Sequence, residues 1–431
     1  MLLPLVFISE SGEPIIRQIA GDEGSEKAAR SAEERWEVVR RLGLAGPLCL
    51  CLPSGAHALD SEPMKELLLR TPCIVGPFLP DELEAARDWL SAGAQYALLA
   101  IPAKTLPQEV VQVVQNAVAE AVIPADRMMV MLEVGELKTQ DDVAGVCAVA
   151  QLLAASKGEG CHECRNAATV GIVSGLILCL PGAEGTSTGK EDELMQQLGS
   201  LSHSDRLQIA VGAPRRRVTT SQLSSLDKKG INVLAPAALG PLEHKEAAAP
   251  SAQEFAALAK HGVLGGLASS ATLEVGSCLT ACCRTDRADG LYSTVVEEEG
   301  GEVLGLVYSS AESISAAIRC GRGVYWSRSR NSLWRKGDSS GAWQTLYRIR
   351  LDCDHDALRF TVVQHGSPPA FCHKNCLTCW GEPVGLRALQ ATLIQRKREA
   401  PAGSYTKRLF DDPELLRNKL VEEAQVDAAT P

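Results

Sequence analysis

The stretch Tyr96-Ala97-Leu98-Leu99-Ala100-Ile101 is apolar along its whole length and is followed at once by Pro102. A short apolar run of this kind predicts a buried β-strand. The next segment, Gln108–Ala121, repeats its apolar residues at helical spacing and begins after Pro107, a residue common at helix starts. The two segments together predict one strand–helix unit.

The same alternation of apolar runs and amphipathic stretches recurs from the N-terminus to about residue 270, with a second clear helix at Asp81–Ala92. It implies parallel strands joined by helical crossovers, and roughly eight such units suit a (βα)₈ barrel. An open doubly wound sheet is the alternative. We therefore expect an α/β domain over residues 1–275. The predicted strands are Leu3–Ile8, Leu48–Leu52, Cys73–Val75, Tyr96–Ile101, Met128–Leu132, Thr169–Cys179, Leu207–Val211 and Asn232–Leu234.

The ends of these strands, where α/β enzymes place their active sites, carry little chemistry. Glu133 is the one plausible acid or base among them, and no phosphate-binding glycine motif is present. We therefore expect a docking, structural or vestigial role for this domain.

Composition narrows the class of protein further. The chain has 431 residues, a net charge of −10 and only 4% aromatic residues, which argues against a nucleic-acid-binding protein. Fifteen cysteines without a secretion signal indicate reduced thiols and metal sites rather than disulfides. No apolar stretch is long enough to span a bilayer. The expectation is a cytoplasmic enzyme of two or three domains that binds neither nucleic acid nor membrane.

From Arg284 the pattern changes to short strands, one hairpin and one helix. Leu291–Glu297 and Val303–Tyr308 flank a turn at residues 298–301, and Ser309–Cys320 has helical spacing. Ser310 is the expected N-cap of this helix, and Gly321 is expected to end it. The pattern predicts a compact α+β domain. Its further strands are Val324–Arg330, Leu333–Lys336, Gln344–Asp352 and Leu358–Gln364.

The last but one of these strands runs into Asp352-Cys353-Asp354-His355-Asp356. If this segment continues the strand, the three carboxylates line one face, and Cys353 and His355 line the other. Three neighbouring carboxylates repel one another unless a cation lies among them, and oxygen ligands suit Mg²⁺ whereas a thiolate suits zinc. A solvated acidic turn is the alternative.

Further thiols follow closely and favour a metal centre. Cys353, Cys372 and Cys379 can supply three zinc ligands, and Cys376 can supply a fourth. Three thiolates and a water form a catalytic site, whereas four thiolates form a closed structural site. His373, beside Cys372, is a candidate fourth ligand or a base that moves a proton.

A basic segment precedes this cluster and suits a phosphate group, because arginine and serine donate hydrogen bonds to phosphate oxygens. A solvated strand and a single-stranded RNA groove, with two tryptophans stacking on bases, are the alternatives. The candidate substrate-binding residues are Trp326, Ser327, Arg328, Arg330, Trp334, Arg335, Lys336, Ser339 and Ser340.

Residues 284–381 resemble phosphoribosyl-AMP cyclohydrolase, which catalyses the third step of histidine biosynthesis. The resemblance rests on several separate motifs, and the order of parts is similar to the fungal multifunctional histidine-biosynthesis proteins. The matching motifs are Thr285-Asp286-Arg287, Asp289-Gly290-Leu291-Tyr292, Gly305–Ser310, Tyr325–Arg330, Trp334–Gly337, Asp352–Ala357, Phe371-Cys372-His373 and Cys379.

The resemblance implies a role for each motif. Asp352, Asp354 and Asp356 fall on Mg²⁺ ligands, and Cys353, Cys372 and Cys379 fall on zinc ligands shared across a homodimer; Cys376 is not among them. The implied reaction is hydrolytic opening of the adenine ring of phosphoribosyl-AMP at its N1–C6 bond by zinc-activated water. His373 is the candidate for proton transfer. A catalytically silent, zinc-stabilised nucleotide-binding or docking module is the alternative.

Residues 386–431 resemble the start of a phosphoribosyl-ATP pyrophosphohydrolase, through Leu393–Lys397, Gly403–Leu409 and Lys419–Ala424. Helical metal sites of that kind need carboxylates from facing helices. Glu422 and Glu423 are followed by only a short segment, so we expect an incomplete domain without pyrophosphohydrolase activity and without a histidinol dehydrogenase.

Overall fold

The structure is a computed structural model of the chain. It describes residues 2–9, 11–15, 31–52, 59, 61–101, 109–110, 112–114, 116–117, 123–134, 137–154, 173–179, 189–205, 208–212, 220–239, 273–381 and 385–429.

Eight parallel strands form a closed barrel near the N-terminus, because the last of them pairs with the first through Leu3 and Leu234. The (βα)₈ prediction is therefore confirmed, and the open sheet is wrong. A short strand, β2 (Pro14–Ile15), extends β1 as a hairpin, and β10 (Leu273–Glu274) extends β9. The barrel strands are β1 (Leu2–Ile8), β3 (Leu48–Cys51), β4 (Cys73–Phe78), β5 (Tyr96–Ile101), β6 (Met128–Glu133), β7 (Gly175–Cys179), β8 (Gln208–Gly212) and β9 (Ile231–Ala238).

Amphipathic helices surround the barrel, and the first begins at a capping box formed by Ser31 and Glu34. The predicted helix Asp81–Ala92 is present as Leu83–Ser91. Of the predicted helix Gln108–Ala121, the residues that the structure describes are helical. The described helices are α1 (Ala32–Leu42), α2 (Glu62–Arg70), α3 (Leu83–Ser91), α4 (Gln140–Ala154), α5 (Gly189–Asp205), α6 (Thr220–Lys228) and α7 (Val275–Cys282).

The barrel interior is a packed apolar core. Strand residues alternate between this interior and the layer beneath the helices, as the period of two requires. Three thiols lie in the interior, at Cys49, Cys51 and Cys179, and burial raises the pKa of Cys49 and of Cys179 to about 12. These thiols are therefore protonated at neutral pH and pack as small apolar side chains.

A four-stranded sheet follows the barrel. Its strands lie in the order β12 (Val303–Ser309), β11 (Tyr292–Glu298), β16 (Ala357–Gln364) and β15 (Gln344–Leu351). The helix α8 (Ala311–Cys320) packs beside it, with Ser310 as its N-cap and Gly321 in the left-handed conformation at its end, as predicted. The predicted hairpin turn at residues 298–301 is also confirmed. Two further strands, β13 (Val324–Ser327) and β14 (Ser332–Arg335), pair with each other as a separate ribbon.

One strand boundary in this domain was predicted wrongly. The strand expected over Val324–Arg330 ends at Ser327, which pairs with Ser332 across a two-stranded ribbon. Residues 328–331 form the connecting turn, and Asn331 adopts a φ of 48°. Polar residues favour such a turn, and Asn tolerates the left-handed conformation.

The barrel and the second domain share one continuous apolar core. Helix α7 packs against both α6 and α8. Arg41 donates a hydrogen bond of 2.8 Å to the carbonyl oxygen of Arg319, and Arg348 donates one of 3.3 Å to that of Arg70. The barrel therefore supports the second domain directly.

A buried network of side-chain hydrogen bonds lies at one end of the second sheet, where Gln344 pairs with Gln364. The Gln344 Oε1 accepts from the Tyr325 hydroxyl at 2.7 Å, and its Nε2 donates to the Gln364 Oε1 at 3.0 Å. Gln364 in turn donates to the carbonyl oxygens of Trp343 and His365. All three side chains of this network are buried, so each depends on its partners rather than on water.

The substitution Gln344→Leu is expected to destabilise the protein by about 2–5 kcal/mol, because it leaves a buried hydroxyl and a buried amide oxygen without partners. The midpoint of urea unfolding measures this loss. The matched control is Gln395→Leu, since Gln395 is exposed on a C-terminal helix and should change stability by less than about 0.5 kcal/mol. Equal midpoints for the two variants would contradict the prediction.

Three helices end the chain: α9 (Gly385–Glu399), α10 (Tyr405–Asp411) and α11 (Pro413–Ala429). Apolar side chains remain exposed along α9, among them Leu386 and Leu389. Glu422 and Glu423 both pair with Lys419, at 3.0 and 2.9 Å. Among the described helices, none has the length and apolar character needed to cross a membrane.

Candidate functional site

The acidic segment 352–356 is a hairpin loop that joins β15 to β16, and the prediction of a continued strand is wrong. The last cross-strand pair is Leu351 with Leu358. His355 adopts a left-handed φ of 66°, which no extended strand contains. The Asp352 Oδ1 accepts a hydrogen bond of 3.1 Å from the Ala357 N–H, so the first aspartate closes the loop on itself.

The loop nevertheless brings the three carboxylates together. Asp352, Asp354 and Asp356 are exposed, and one oxygen of each lies within 4.8 Å of the others. The charge of Asp354 is the main cause that raises the pKa of Asp356. Burial raises the pKa of Asp352, but hydrogen bonds outweigh this effect and hold the pKa below its ordinary value. The first of these hydrogen bonds is donated by the Ala357 N–H. Three oxygen donors under mutual repulsion fit a hard divalent cation.

The thiol segment, residues 371–381, lies against the edge strand β12. The Cys379 N–H donates to the Leu304 carbonyl oxygen at 2.8 Å, and the Cys372 N–H donates to that of Cys376 at 3.0 Å. The Cys372 thiol is a near neighbour of the Cys379 thiol. Burial, followed by this contact with Cys372, raises the pKa of Cys379. Two thiols are therefore placed side by side and fit a soft metal such as zinc.

Cys353 does not join this pair within one chain. It is exposed in the acidic loop, with its sulfur 4.0 Å from the Asp354 Oδ1. Within the described part of the chain, no three His, Cys, Asp or Glu side chains other than the three aspartates approach one another within 4.8 Å. Among the cysteines that the structure describes, a single copy thus does not assemble a site with three thiolates. His373 is exposed beside Cys372.

Lys336 lies with the thiols rather than with the exposed basic residues. Its side chain is buried, and its Nζ donates to the Ala370 carbonyl oxygen at 3.1 Å. Burial lowers the pKa of Lys336, whereas Cys379 and Cys372 act to raise it. The structure thus places a cationic group beside the two thiols, where it favours their ionised form.

Two arginines lie against the ring of Tyr308. The guanidinium groups of Arg328 and Arg287 lie 4.0 and 4.5 Å from the centre of its ring, a cation–π arrangement. Arg287 also donates two hydrogen bonds to Asp289, and its presence lowers the pKa of that carboxyl. Tyr308 and Arg287 stand in the matching motifs but were not predicted as site residues, because separate motifs do not show which side chains meet.

The remaining candidates extend along the β13–β14 ribbon and the loop after it. Arg330 donates to the Ser327 Oγ at 3.2 Å. Trp326 and Trp334 are half-buried, and the Trp334 ring lies 5.8 Å from that of Tyr325. The outermost candidates are exposed: Arg335, Ser339 and Ser340.

Gly305 allows the thiol segment to approach β12. A Cβ atom at this position would lie 2.5 Å from the Phe371 ring and 3.1 Å from the Cys379 sulfur. Because Cys379 is also tied to the backbone of β12, the segment has little room to retreat. A side chain at this position would displace the Phe371 ring and crowd the Cys379 sulfur.

Gly305→Ala is expected to lower catalytic efficiency about a hundredfold by displacing Cys379, and to cost about 1–3 kcal/mol of stability. Steady-state kinetics and urea unfolding measure the two effects. The control is Gly145→Ala, because a Cβ atom on Gly145 would meet nothing within 4 Å. An unchanged activity in Gly305→Ala would show that the approach of the thiol segment to β12 is unimportant.

Comparison with known protein families gives two matches. A family described as Phosphoribosyl-AMP cyclohydrolase matches residues 305–381, and one described as Phosphoribosyl-ATP pyrophosphohydrolase matches residues 386–426. The first match contains the acidic loop, the thiol segment and the β13–β14 ribbon.

Individual relatives agree with these matches. The histidine biosynthesis bifunctional protein his7 of Schizosaccharomyces pombe is 47% identical over 193 residues, 42% of this chain and 46% of that protein. The histidine biosynthesis trifunctional protein of Neurospora crassa is 52% identical over 153 residues, 36% of this chain and 17% of that protein. This chain therefore spans less than half the length of these fungal relatives.

A solved dihydropteroate synthase of Xanthomonas albilineans aligns with 65% of this chain and 89% of its own, at 17% identity and a TM-score of 0.30, a likeness too weak to carry an argument. The bifunctional protein HisIE of Bacteroides thetaiotaomicron is 35% identical over 146 residues, which cover 32% of this chain and 70% of that protein. Through residues 305–426, the chain thus belongs to the family of bifunctional histidine biosynthesis proteins.

Proposed function

We propose that this protein is a phosphoribosyl-AMP cyclohydrolase of histidine biosynthesis. The observation that carries the proposal is that one matched segment, residues 305–381, holds three convergent carboxylates and two paired thiols. The reaction adds water across the N1–C6 bond of the adenine ring: the water oxygen bonds to C6, the C6–N1 bond breaks, and N1 takes a proton. The substrate is a small phosphorylated nucleotide.

The donor sets suit two metals. Asp352, Asp354 and Asp356 would hold Mg²⁺, and Cys372 and Cys379 would hold zinc. Zinc, when bound, supplies Lewis acidity that makes water reactive at neutral pH. We further propose that Cys353 of a second copy completes the zinc site, because Cys353 in the same chain does not group with the other two thiols. The working unit would then be a homodimer.

The chain's own residues would bind and orient the nucleotide. Arg328 and Arg330 offer guanidinium donors to the substrate phosphate, and Ser339 and Ser340 offer hydroxyls on the neighbouring loop. Holding the phosphate at a fixed distance from the thiol segment places the purine for attack. His373, exposed beside Cys372, would carry the proton that the ring nitrogen takes.

The direct test is a spectroscopic assay of phosphoribosyl-AMP consumption by the purified full chain. We expect turnover that is abolished by a chelator and restored by zinc with Mg²⁺. Failure to open the ring with both metals present would overturn the proposal. Size-exclusion chromatography with light scattering tests the homodimer, and a monomer that is fully active would exclude a site shared between copies.

A zinc-stabilised module without catalytic activity is the second candidate, favoured by the finding that one chain groups only two of the three thiols. In that case removal of zinc would lower the melting temperature of a protein that never shows turnover. A protein that turns over phosphoribosyl-AMP excludes this candidate.

A further inference from the structure

One of the contacts between the barrel and the second domain lies inside the proposed metal loop. We propose that Asp227, on barrel helix α6, is a positioning residue for the acidic loop and acts through His355. The inference rests on the proposed magnesium site, and it assigns the barrel a role in that site's geometry. Asp227 and His355 are 128 residues apart in the chain.

The contact itself is short and shielded. The His355 Nδ1 lies 2.9 Å from the Asp227 Oδ2, and the two side chains are 25% and 5% exposed. An ionised carboxylate can only accept, so Nδ1 carries the hydrogen and donates it. A charge-assisted hydrogen bond that is partly removed from water is stronger than an exposed ion pair.

His355 needs such an anchor because of its backbone. Its φ of 66° lies in the left-handed region, where a residue other than glycine is strained. Strained conformations persist when the surroundings over-determine them. The hydrogen bond to Asp227 fixes the side chain of this residue, and the Arg284 N–H fixes its carbonyl oxygen at 2.7 Å.

A second residue that precedes the sheet also holds the loop. Arg284, which follows helix α7, also donates to the Asp354 carbonyl oxygen at 3.2 Å. Three hydrogen bonds thus tie residues 354 and 355 to elements that precede the second sheet. The carboxylates of Asp354 and Asp356 flank His355, so the conformation of His355 sets the direction in which both point.

Asp227 is itself fixed in place. Helix α6 packs against α7, which places Cys282 of α7 near Asp227. The side chain of Asp227 is only 5% exposed, so its carboxylate is a well-fixed acceptor for His355. Neighbours that orient metal ligands commonly change metal affinity by about 10–100-fold when they are removed.

The test uses the full-length protein with Asp227→Asn and His355→Asn. Asparagine tolerates the left-handed conformation, so His355→Asn removes the contact while keeping the backbone possible. The first readout is hydrogen exchange of the peptide that covers residues 351–358, measured with a chelator present. The second is the dissociation constant for Mn²⁺, added alone as a probe of the carboxylates.

We expect each variant to speed exchange of this peptide about tenfold and to weaken Mn²⁺ binding about tenfold or more. The double variant should be no worse than His355→Asn alone, because Asp227→Asn acts through the same contact, from which it removes the charge. The matched control is Asp88→Asn, an exposed aspartate on barrel helix α3, which should change neither readout. If Asp227→Asn does not fold, His355→Asn, on a surface loop, still gives both measurements.

Unchanged exchange and unchanged Mn²⁺ affinity in His355→Asn would overturn the inference. Additive effects in the double variant would also overturn it, since they would mean that the two residues act separately. A wild-type protein that binds no Mn²⁺ would instead overturn the proposed magnesium site. The exchange readout separates the two failures, because it requires no metal.

Discussion

Turnover of phosphoribosyl-AMP is expected to fall at least about a thousandfold in Cys379→Ala, which corresponds to about 4 kcal/mol of lost transition-state stabilisation. The reason is that Cys379 forms half of the thiol pair that a single chain assembles. With one thiol left, zinc would be held too weakly to supply its Lewis acidity. The measurements are the turnover rate and the zinc content of the purified protein.

Cys376→Ser is the matched control for this variant. Cys376 lies in the same segment and is exposed, with its sulfur 3.6 Å from the Lys374 carbonyl oxygen. Serine preserves its size, and zinc content and turnover should both be retained. If Cys379→Ala instead loses thermal stability but keeps its turnover, the thiol pair is a structural site.

Asp354→Asn is expected to lower catalytic efficiency about a hundredfold, mainly by weakening the binding of Mg²⁺, which prefers charged oxygen ligands. Asparagine keeps the shape of the side chain but removes the charge that raises the pKa of Asp356. The variant should also need more Mg²⁺ to reach half of its maximal rate. Kinetics over a range of Mg²⁺ concentrations measure both effects.

Asp411→Asn serves as its control, because Asp411 is an exposed residue of α10 that pairs with Lys407 at 3.1 Å. Neither the rate nor the Mg²⁺ requirement should change in this variant. An Asp354→Asn protein with the wild-type Mg²⁺ dependence would show that the acidic loop does not bind the ion that the reaction uses.

The individual elements were predictable from the sequence because their causes are local. Short continuous apolar runs, and helices that begin at caps such as Ser310, depend on neighbouring residues alone. All eight barrel strands were located in this way. Closure of the barrel was not fixed by these patterns, since it depends on pairing between β1 and β9, more than two hundred residues apart.

The candidate site was likewise predictable from the sequence only in part. The proximity of Asp352, Asp354 and Asp356 was expected from their spacing, although the structure achieves it through a hairpin loop in place of a strand. Turn residues reverse the chain over a few positions, so short-range alternation cannot distinguish a strand end from a turn.

The sequence by itself determined the residue types, the local elements and the two donor sets, because these depend on side-chain chemistry and short-range geometry. Only the tertiary structure decided that Lys336 is buried beside the thiols and that Asp227 holds His355. It also separated Cys353 from the other two thiols within one chain. Such contacts arise when distant segments pack into one core, and no local pattern records which segments will meet.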